Sequence, residues 1–251
     1  MKERLDKLLL KKGLVSSRER AKALILEGRV LVNRSPVDKA GTLIDESAGI
    51  VLRGEDIPYA SRGGLKLEGA LEHFHIQLDG LVVMDVGAST GGFTDCMLQK
   101  GAVKVYAVDV GYGQLSWKLR KDPRVVVLER TNIRYLTGDS VPEKVDLVTI
   151  DVSFISLLKV VPKILEFLRD GGGILALIKP QFEVGKGEVD KGGVIKSIEK
   201  RINVVGRITE GFESMGLEVQ GVSESPVKGQ KGNIEYFIYV IKPVSAKASI
   251  R

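Results

Sequence analysis

Four side chains suited to proton chemistry stand where the sequence pattern begins or ends an element. Lys179 closes the apolar run 174–178, Asp151 closes the run 145–150, Glu235 opens the apolar stretch 235–241, and Lys66 lies near the start of a helix-patterned segment, 61–74. An amine can take a proton from a weakly acidic hydroxyl only when it is uncharged, a form that burial or a second nearby cation favours. A carboxylate can orient both the amine and the hydroxyl. Two lysines close together would favour the uncharged form in each other, and an acid heading so apolar a strand as 235–241 needs a partner. The plain alternative is a pair of structural ion pairs.

The stretch that must bring them together is residues 81–94, LVVMDVGASTGGFT. An apolar run ends in Asp85 and passes through Gly87, Gly91 and Gly92 before an amphipathic segment opens at Phe93, the pattern of a buried parallel strand turning into a helix. Glycines there let a ligand lie against bare backbone, and the helix start offers unpaired N–H groups. A nucleotide-like cofactor is the implied occupant, with a purely structural turn as the competing account. A Walker loop needs a lysine where Phe93 stands, which disfavours ATP and GTP. A dinucleotide fingerprint needs glycine where Ser89 stands, which weakens NAD. Asp109 follows the next apolar run, 103–108, where a carboxylate can accept hydrogen bonds from ribose hydroxyls. Asn132, beyond the run 125–128, would either approach an adenine or serve its own turn.

The remaining pattern is that of a doubly wound α/β sheet. Residues 155–168 read as an amphipathic helix, Gly171 to Gly173 as a turn, 195–214 as a helix, and 217–222 and 235–241 as strands that complete the sheet. The segment KPQFEVGKGEVDKGG combines Lys179, Lys186 and Lys191 with glycines and a proline, the composition of a mobile loop over a strand end where substrates enter, or of a solvent loop. Cys96 is expected to pack in the helix after the glycine turn; no activating setting for a nucleophile is visible. His73 and His75 have no partners at metal spacing, and no metal is expected.

At 251 residues the chain has room for one α/β domain and a small appendage. Its 43% hydrophobic and 28% charged residues exclude a disordered chain. With a single cysteine, no leading apolar segment and no apolar run of bilayer length, a cytoplasmic protein without stable membrane association is expected. Residues 1–53 hold twelve Lys/Arg against seven Asp/Glu, five of the six excess positive charges of the whole chain, which marks the N-terminus as a polyanion-binding module. There Leu5, Leu8 and Leu9 repeat at helical spacing, Gly13 stops the helix, Ser16 or Ser17 caps a second one from about Arg18, and Gly28 ends that before a short strand 30–32. The glycine and proline of GEDIPYA, residues 54–60, place a domain boundary between 1–60 and 61–251.

The N-terminal run RLDKLLLKKGLVSSRERAKALILEGRVLVNRSPVDKAG resembles the small α+β RNA-binding domain of ribosomal small-subunit protein four. On that resemblance Arg4, Lys11, Arg18, Arg20, Lys22, Arg29 and Asn33 are the RNA-binding positions, against the alternative that the charges only solvate two helices. The run DVGASTGGFTDCML is similar to the first motif of FtsJ-type methyltransferases, which implies S-adenosyl-L-methionine as cofactor, bound by Asp85, Gly87, Ser89, Gly91, Gly92, Phe93, Asp109 and Asn132. SRGGLKL, VTIDVSFISL, LIKPQFEVGK and GNIEYF extend the likeness over nearly the whole chain to the TlyA branch of that group. It implies a Rossmann-like methyltransferase with a mostly parallel seven-stranded sheet whose last strand is antiparallel. It also implies methylation of a ribosomal RNA ribose 2′-hydroxyl, at cytidine, on RNA or ribosomal subunits. Lys66, Asp151, Lys179 and Glu235 match the catalytic tetrad of the group. Lys179 falls as base or oxyanion holder, Asp151 as orienter, and Lys66 and Glu235 as positioning groups. Methyltransferases acting on base amines resemble one another in an Asn/Asp-Pro-Pro-Tyr run that is absent here, so a base nitrogen is disfavoured. Two other readings remain: a non-catalytic RNA-binding ribosome factor, and a membrane-lytic protein, as the haemolysin label of some TlyA proteins has it.

Overall fold

The computed structural model describes residues 2–15, 17–26, 28–53, 57–185, 189 and 192–244. The chain divides into two compact units, Met1–Ser61 and Arg62–Arg251.

In the first unit the strand β1 (Lys2–Arg4) leads into helix α1 (Leu5–Lys11), then α2 (Arg18–Leu26), β2 (Val30–Val32), β3 (Ser35–Pro36), β4 (Leu43–Asp45) and β5 (Ile50–Leu52). Leu5 and Leu9 of α1 meet Ala21, Leu24 and Ile25 of α2 and Val30 and Val32 of β2 in one buried cluster, the apolar faces that the helical spacing implies. The Ser17 hydroxyl accepts the Arg20 N–H at 3.0 Å and caps α2, while Ser16 lies outside the described residues. Beneath this unit's charged exterior lies a buried carboxylate. Asp6 receives Arg4 Nε at 3.0 Å and Arg18 Nη2 at 2.8 Å. The Arg4 hydrogen bond, aided by Arg18 against the cost of burial, holds its carboxyl well below the usual carboxylate range.

The second unit starts with helix α3 (Gly63–His73) and then alternates strand and helix: β6 (Val82–Val86), α4 (Gly92–Gln99), β7 (Lys104–Val108), α5 (Trp117–Arg120), β8 (Val125–Leu128), β9 (Val145–Ile150), α6 (Val161–Ile164), β10 (Leu168–Ile178), α7 (Pro180–Glu183), α8 (Ile198–Ser214), β11 (Glu218–Glu224) and β12 (Tyr236–Ile241). The seven strands lie in the order β11-β12-β10-β9-β6-β7-β8. β6 through β10 pair in parallel, and β12 runs antiparallel to both neighbours. This is the expected sheet. Its centre is apolar on one face through Met84, Val86, Val148, Ile150, Ile174 and Ile238 and on the other through Val83, Leu147, Leu175, Leu177 and Phe237, as a sheet covered on both sides requires.

Two expected elements are corrected. The long helix over 155–168 is instead a short 3₁₀ turn, Leu157–Lys159, followed by the four-residue α6. Pro162 has no N–H to give and would clash with the carbonyl four residues earlier, so it is accommodated only in the first turn of a new helix. The turn expected at Gly171 to Gly173 lies within β10 as an irregularity, a register shift between Leu168 and Gly173 with Gly171 at φ +72°.

Candidate active site

The order reversal of the sheet falls between β6 and β9, and there the backbone ends meet: Asp151 N–H donates to the Val86 carbonyl at 2.8 Å. Gly87, at φ +91°, follows directly, and a β-carbon on it would collide with the Asp151 carbonyl. Gly91 caps α4 at φ +94°, where a side chain would strike Leu115 and Leu119. Both positions therefore need glycine, because the space a side chain would take is filled, and both lie in the loop at the carboxyl ends of the strands. α4 begins at Gly92, one residue before the expected start. Ser89, at φ +49°, gives its N–H to Asp109 Oδ2 at 2.8 Å, and Gly111 N–H binds Oδ1 at 2.7 Å. Each oxygen of Asp109 keeps a lone pair for a further donor, as a ribose diol demands. The loop and this carboxylate fit a nucleoside-bearing cofactor.

Three of the expected cofactor residues have other placements. Asp85 is wholly buried behind the loop, accepting the Thr94 hydroxyl at 2.6 Å, so it supports the loop from inside instead of lining the crevice. Burial pushes its carboxyl up to about 7 against the pull of Thr94, and the charges of Asp151 and Asp109 push the same way. Phe93 is buried with its ring 6.1 Å from that of Phe237, which leaves only its main chain at the loop. Asn132 caps the turn Ile133–Tyr135, its Oδ1 accepting the Arg134 N–H at 3.1 Å, the turn chemistry that competed with the adenine role. A residue not singled out from sequence, Glu129, organises the segment after Asp109. It accepts the N–H groups of Gly113, Gln114 and Leu115 and pairs with Arg120 at 2.7 Å. Three consecutive backbone donors to one carboxylate leave no sequence signature.

The four proton-chemistry residues lie along one edge. Asp151 and Lys179 follow the carboxyl ends of β9 and β10, whose residues Ile150 and Ala176 are in register. Ile178 faces Tyr236, so the antiparallel β12 brings Glu235 to the same edge. They form two ion pairs. Lys66 Nζ, on the first turn of α3, lies 2.7 Å from Glu235 Oε2, with side chains 12% and 2% exposed. Lys179 Nζ lies 2.5 Å from Asp151 Oδ1, close enough to pair although not aligned as a hydrogen bond, and 3.1 Å from Ser153 Oγ. Each lysine is matched by its own carboxylate, not by the other lysine. Glu235 has the partner its apolar surroundings require, and Gln181 Nε2 donates to its other oxygen at 3.1 Å. Beside Lys179, Phe154 is 88% exposed at φ +63°, its ring 4.6 Å from that of Phe182. Lys186 and Lys191 lie outside the described residues.

In the first unit the expected RNA-binding residues also serve internal contacts. Beyond the Arg4 and Arg18 pairs with Asp6, Lys11 meets Glu46 at 3.0 Å, Arg29 Nε donates to the Arg53 carbonyl at 2.8 Å, and Asn33, at φ +49°, accepts the Gly49 N–H at 3.1 Å. The Arg20 guanidinium reaches the Ile57 carbonyl, and Lys22 is exposed on α2. Cys96 is buried, a packing residue as expected. Among the described residues no His, Cys, Asp and Glu group is arranged to hold a metal. None of the described helices is long and apolar enough to cross a membrane.

A doubly wound sheet with a glycine loop at its reversal and paired amines and acids at the same edge defines a methyltransferase-type α/β enzyme. The FtsJ-like methyltransferase family matches residues 59–242, and the S4 domain family matches residues 3–50. YqxC of Bacillus subtilis is 46% identical over 243 residues, 96% of this chain and 86% of that protein. The 16S/23S rRNA (cytidine-2′-O)-methyltransferase TlyA of Mycobacterium tuberculosis is 44% identical over 94% of this chain and 89% of its own. A solved structure from Streptococcus thermophilus with a hemolysin designation is 43% identical, with a TM-score of 0.76 over 96% of this chain and 89% of that one. The chain belongs to the TlyA branch of the FtsJ-like methyltransferase family. Its cofactor is S-adenosylmethionine.

Proposed function

We propose that the protein methylates a ribose 2′-hydroxyl of ribosomal RNA, at cytidine, in the cytoplasm, with ribosomal RNA or ribosomal subunits as the substrate. The observation that carries this reading is the gathering of Lys66–Glu235 and Lys179–Asp151 beside the glycine loop. The names of relatives such as the Mycobacterium tuberculosis protein support the substrate. The bound cofactor supplies an electrophilic methyl group. Gly87, Ser89, Gly91 and Gly92 hold it through main chain, and Asp109 holds its ribose. A ribose hydroxyl is a poor nucleophile, so it must be held in line and relieved of its proton. Lys179 Nζ takes that proton when uncharged, or holds the charge left on the oxygen, and Asp151 orients both. Lys66 and Glu235 fix the hydroxyl's approach. The S4 unit grips RNA through Arg4, Lys11, Arg18, Arg20, Lys22, Arg29 and Asn33, and binding through phosphates makes its affinity fall steeply with salt.

The test is incubation with tritiated S-adenosylmethionine and unmodified ribosomal subunits, followed by mapping of the label. Label on a cytidine ribose is expected; label on a base, or none from folded protein, would overturn the reading. Phe154 gives a second expectation. An exposed ring in a left-handed conformation, backed by Phe182, presents a flat face for the target base beside Lys179. Phe154→Ala should lower kcat/KM for RNA by roughly 10- to 100-fold, the worth of one base–aromatic stack. S-adenosylmethionine affinity, measured by calorimetry, should not change.

A further inference from the structure

We propose that Gln181 is a positioning residue that locks the Glu235 carboxylate against Lys66 and thereby joins the two ion pairs into one working unit. This rests on the functional reading above. Lys179 is the N-cap of α7, and Gln181 stands two residues on, within the same single turn. Its Nε2 meets Glu235 Oε1 at 3.1 Å while Lys66 Nζ meets Oε2 at 2.7 Å, so the carboxylate is held from two sides. Gly229 closes a third, since a β-carbon there would collide with both carboxylate oxygens. Glu235 has no room to turn.

The turn that carries Gln181 is itself fastened. Phe182 packs at a tilt against Phe154 with ring centres 4.6 Å apart, Glu183 Oε1 accepts the Leu157 N–H at 2.8 Å, and Arg207 donates to the Glu183 carbonyl. A shift of Lys179 therefore moves Gln181 with it. The orientation of the amide follows from its partner, because only the NH₂ end can face a carboxylate. That choice leaves Gln181 Oε1 buried with no donor among the described residues, a cost to stability that packing alone gives no reason to keep.

Gln181→Glu keeps the shape and sets two carboxylates face to face, which repel when both are ionised and take up a shared proton as pH falls. At pH 8.5 its kcat should fall roughly 10- to 100-fold, the effect of losing a hydrogen bond to a charged group at a reacting site. KM for ribosomal RNA and affinity for S-adenosylmethionine should stay near those of the parent. The deficit should shrink as pH falls and the facing acids take up the proton that rebuilds the bond. Gln181→Leu, which has no such proton to gain, should show a similar deficit at every pH. Parental kcat in both variants, or a Gln181→Glu deficit independent of pH, would overturn the proposal. Lys179→Ala in the same assay separates the two levels. Turnover surviving in that variant sinks the functional reading, whereas a dead Lys179→Ala beside a parental Gln181→Glu sinks only the role of Gln181.

Discussion

Lys179→Ala is expected to lower methyl transfer to ribosomal RNA by roughly 10³-fold, within the range for removing a positioned proton acceptor or oxyanion donor. Lys179 Nζ sits between Asp151 Oδ1 and Ser153 Oγ at the end of β10, and the glycine loop and Asp109 are built without it. Cofactor affinity should therefore survive, and equilibrium binding of S-adenosylmethionine checks this directly. Asp151 loses its cation, but its side chain is 23% exposed, so water can replace part of the lost interaction and the domain should stay folded. Lys179→Arg keeps a cation without the compact amine and should remain severely impaired. An active Lys179→Ala protein would reassign the proton chemistry.

The second large effect concerns stability. Asp85 is fully buried, and burial raises its carboxyl to about 7. In the unfolded chain an aspartate titrates near 3.9, so between roughly pH 4 and 7 the folded protein holds a proton that the unfolded chain has released. For an acid raised in this way stability is greatest at low pH and falls as pH rises through that window. Above about pH 7 both states are ionised and the cost is constant, on the order of 4 kcal/mol. Asp85→Asn removes the titrating group while keeping an acceptor for Thr94, so its urea-unfolding free energy should lose this pH dependence and exceed that of the parent above pH 7. The same pH slope in both proteins would contradict the assignment.

Much of this architecture was legible because strand ends announce themselves. An apolar run that stops at a charged residue places that residue at a sheet edge, which is why Asp151, Lys179 and Glu235 could be grouped before any contact was known. Pattern does not say on which side of the loop a residue points. Asp85 and Phe93 belong to the glycine motif in sequence yet lie beneath it in space, and the two faces of a strand buried on both sides look alike. Gln181 was invisible for another reason. A glutamine in KPQFE reads as an ordinary polar loop residue until β12 brings Glu235 beside it from 54 positions away. The helix expected over 155–168 failed where a local rule was underweighted, since Pro162 lay in plain view. The basic N-terminal residues were expected to meet RNA, and nothing in their spacing revealed that Asp6 anchors two of them.

The reversed direction of β12 gives its two ends different work. Its entry, after Asn233, stands among the reacting groups, while its exit is stapled far away, where Lys242 N–H meets the Gly172 carbonyl at 2.9 Å and Gly171 N–H meets that of Lys242 at 2.8 Å. Lengthening the turn before the strand would retune turnover, whereas altering the staple after it would change only durability. One short strand thus carries the reacting end and the fastened end of the sheet apart from each other.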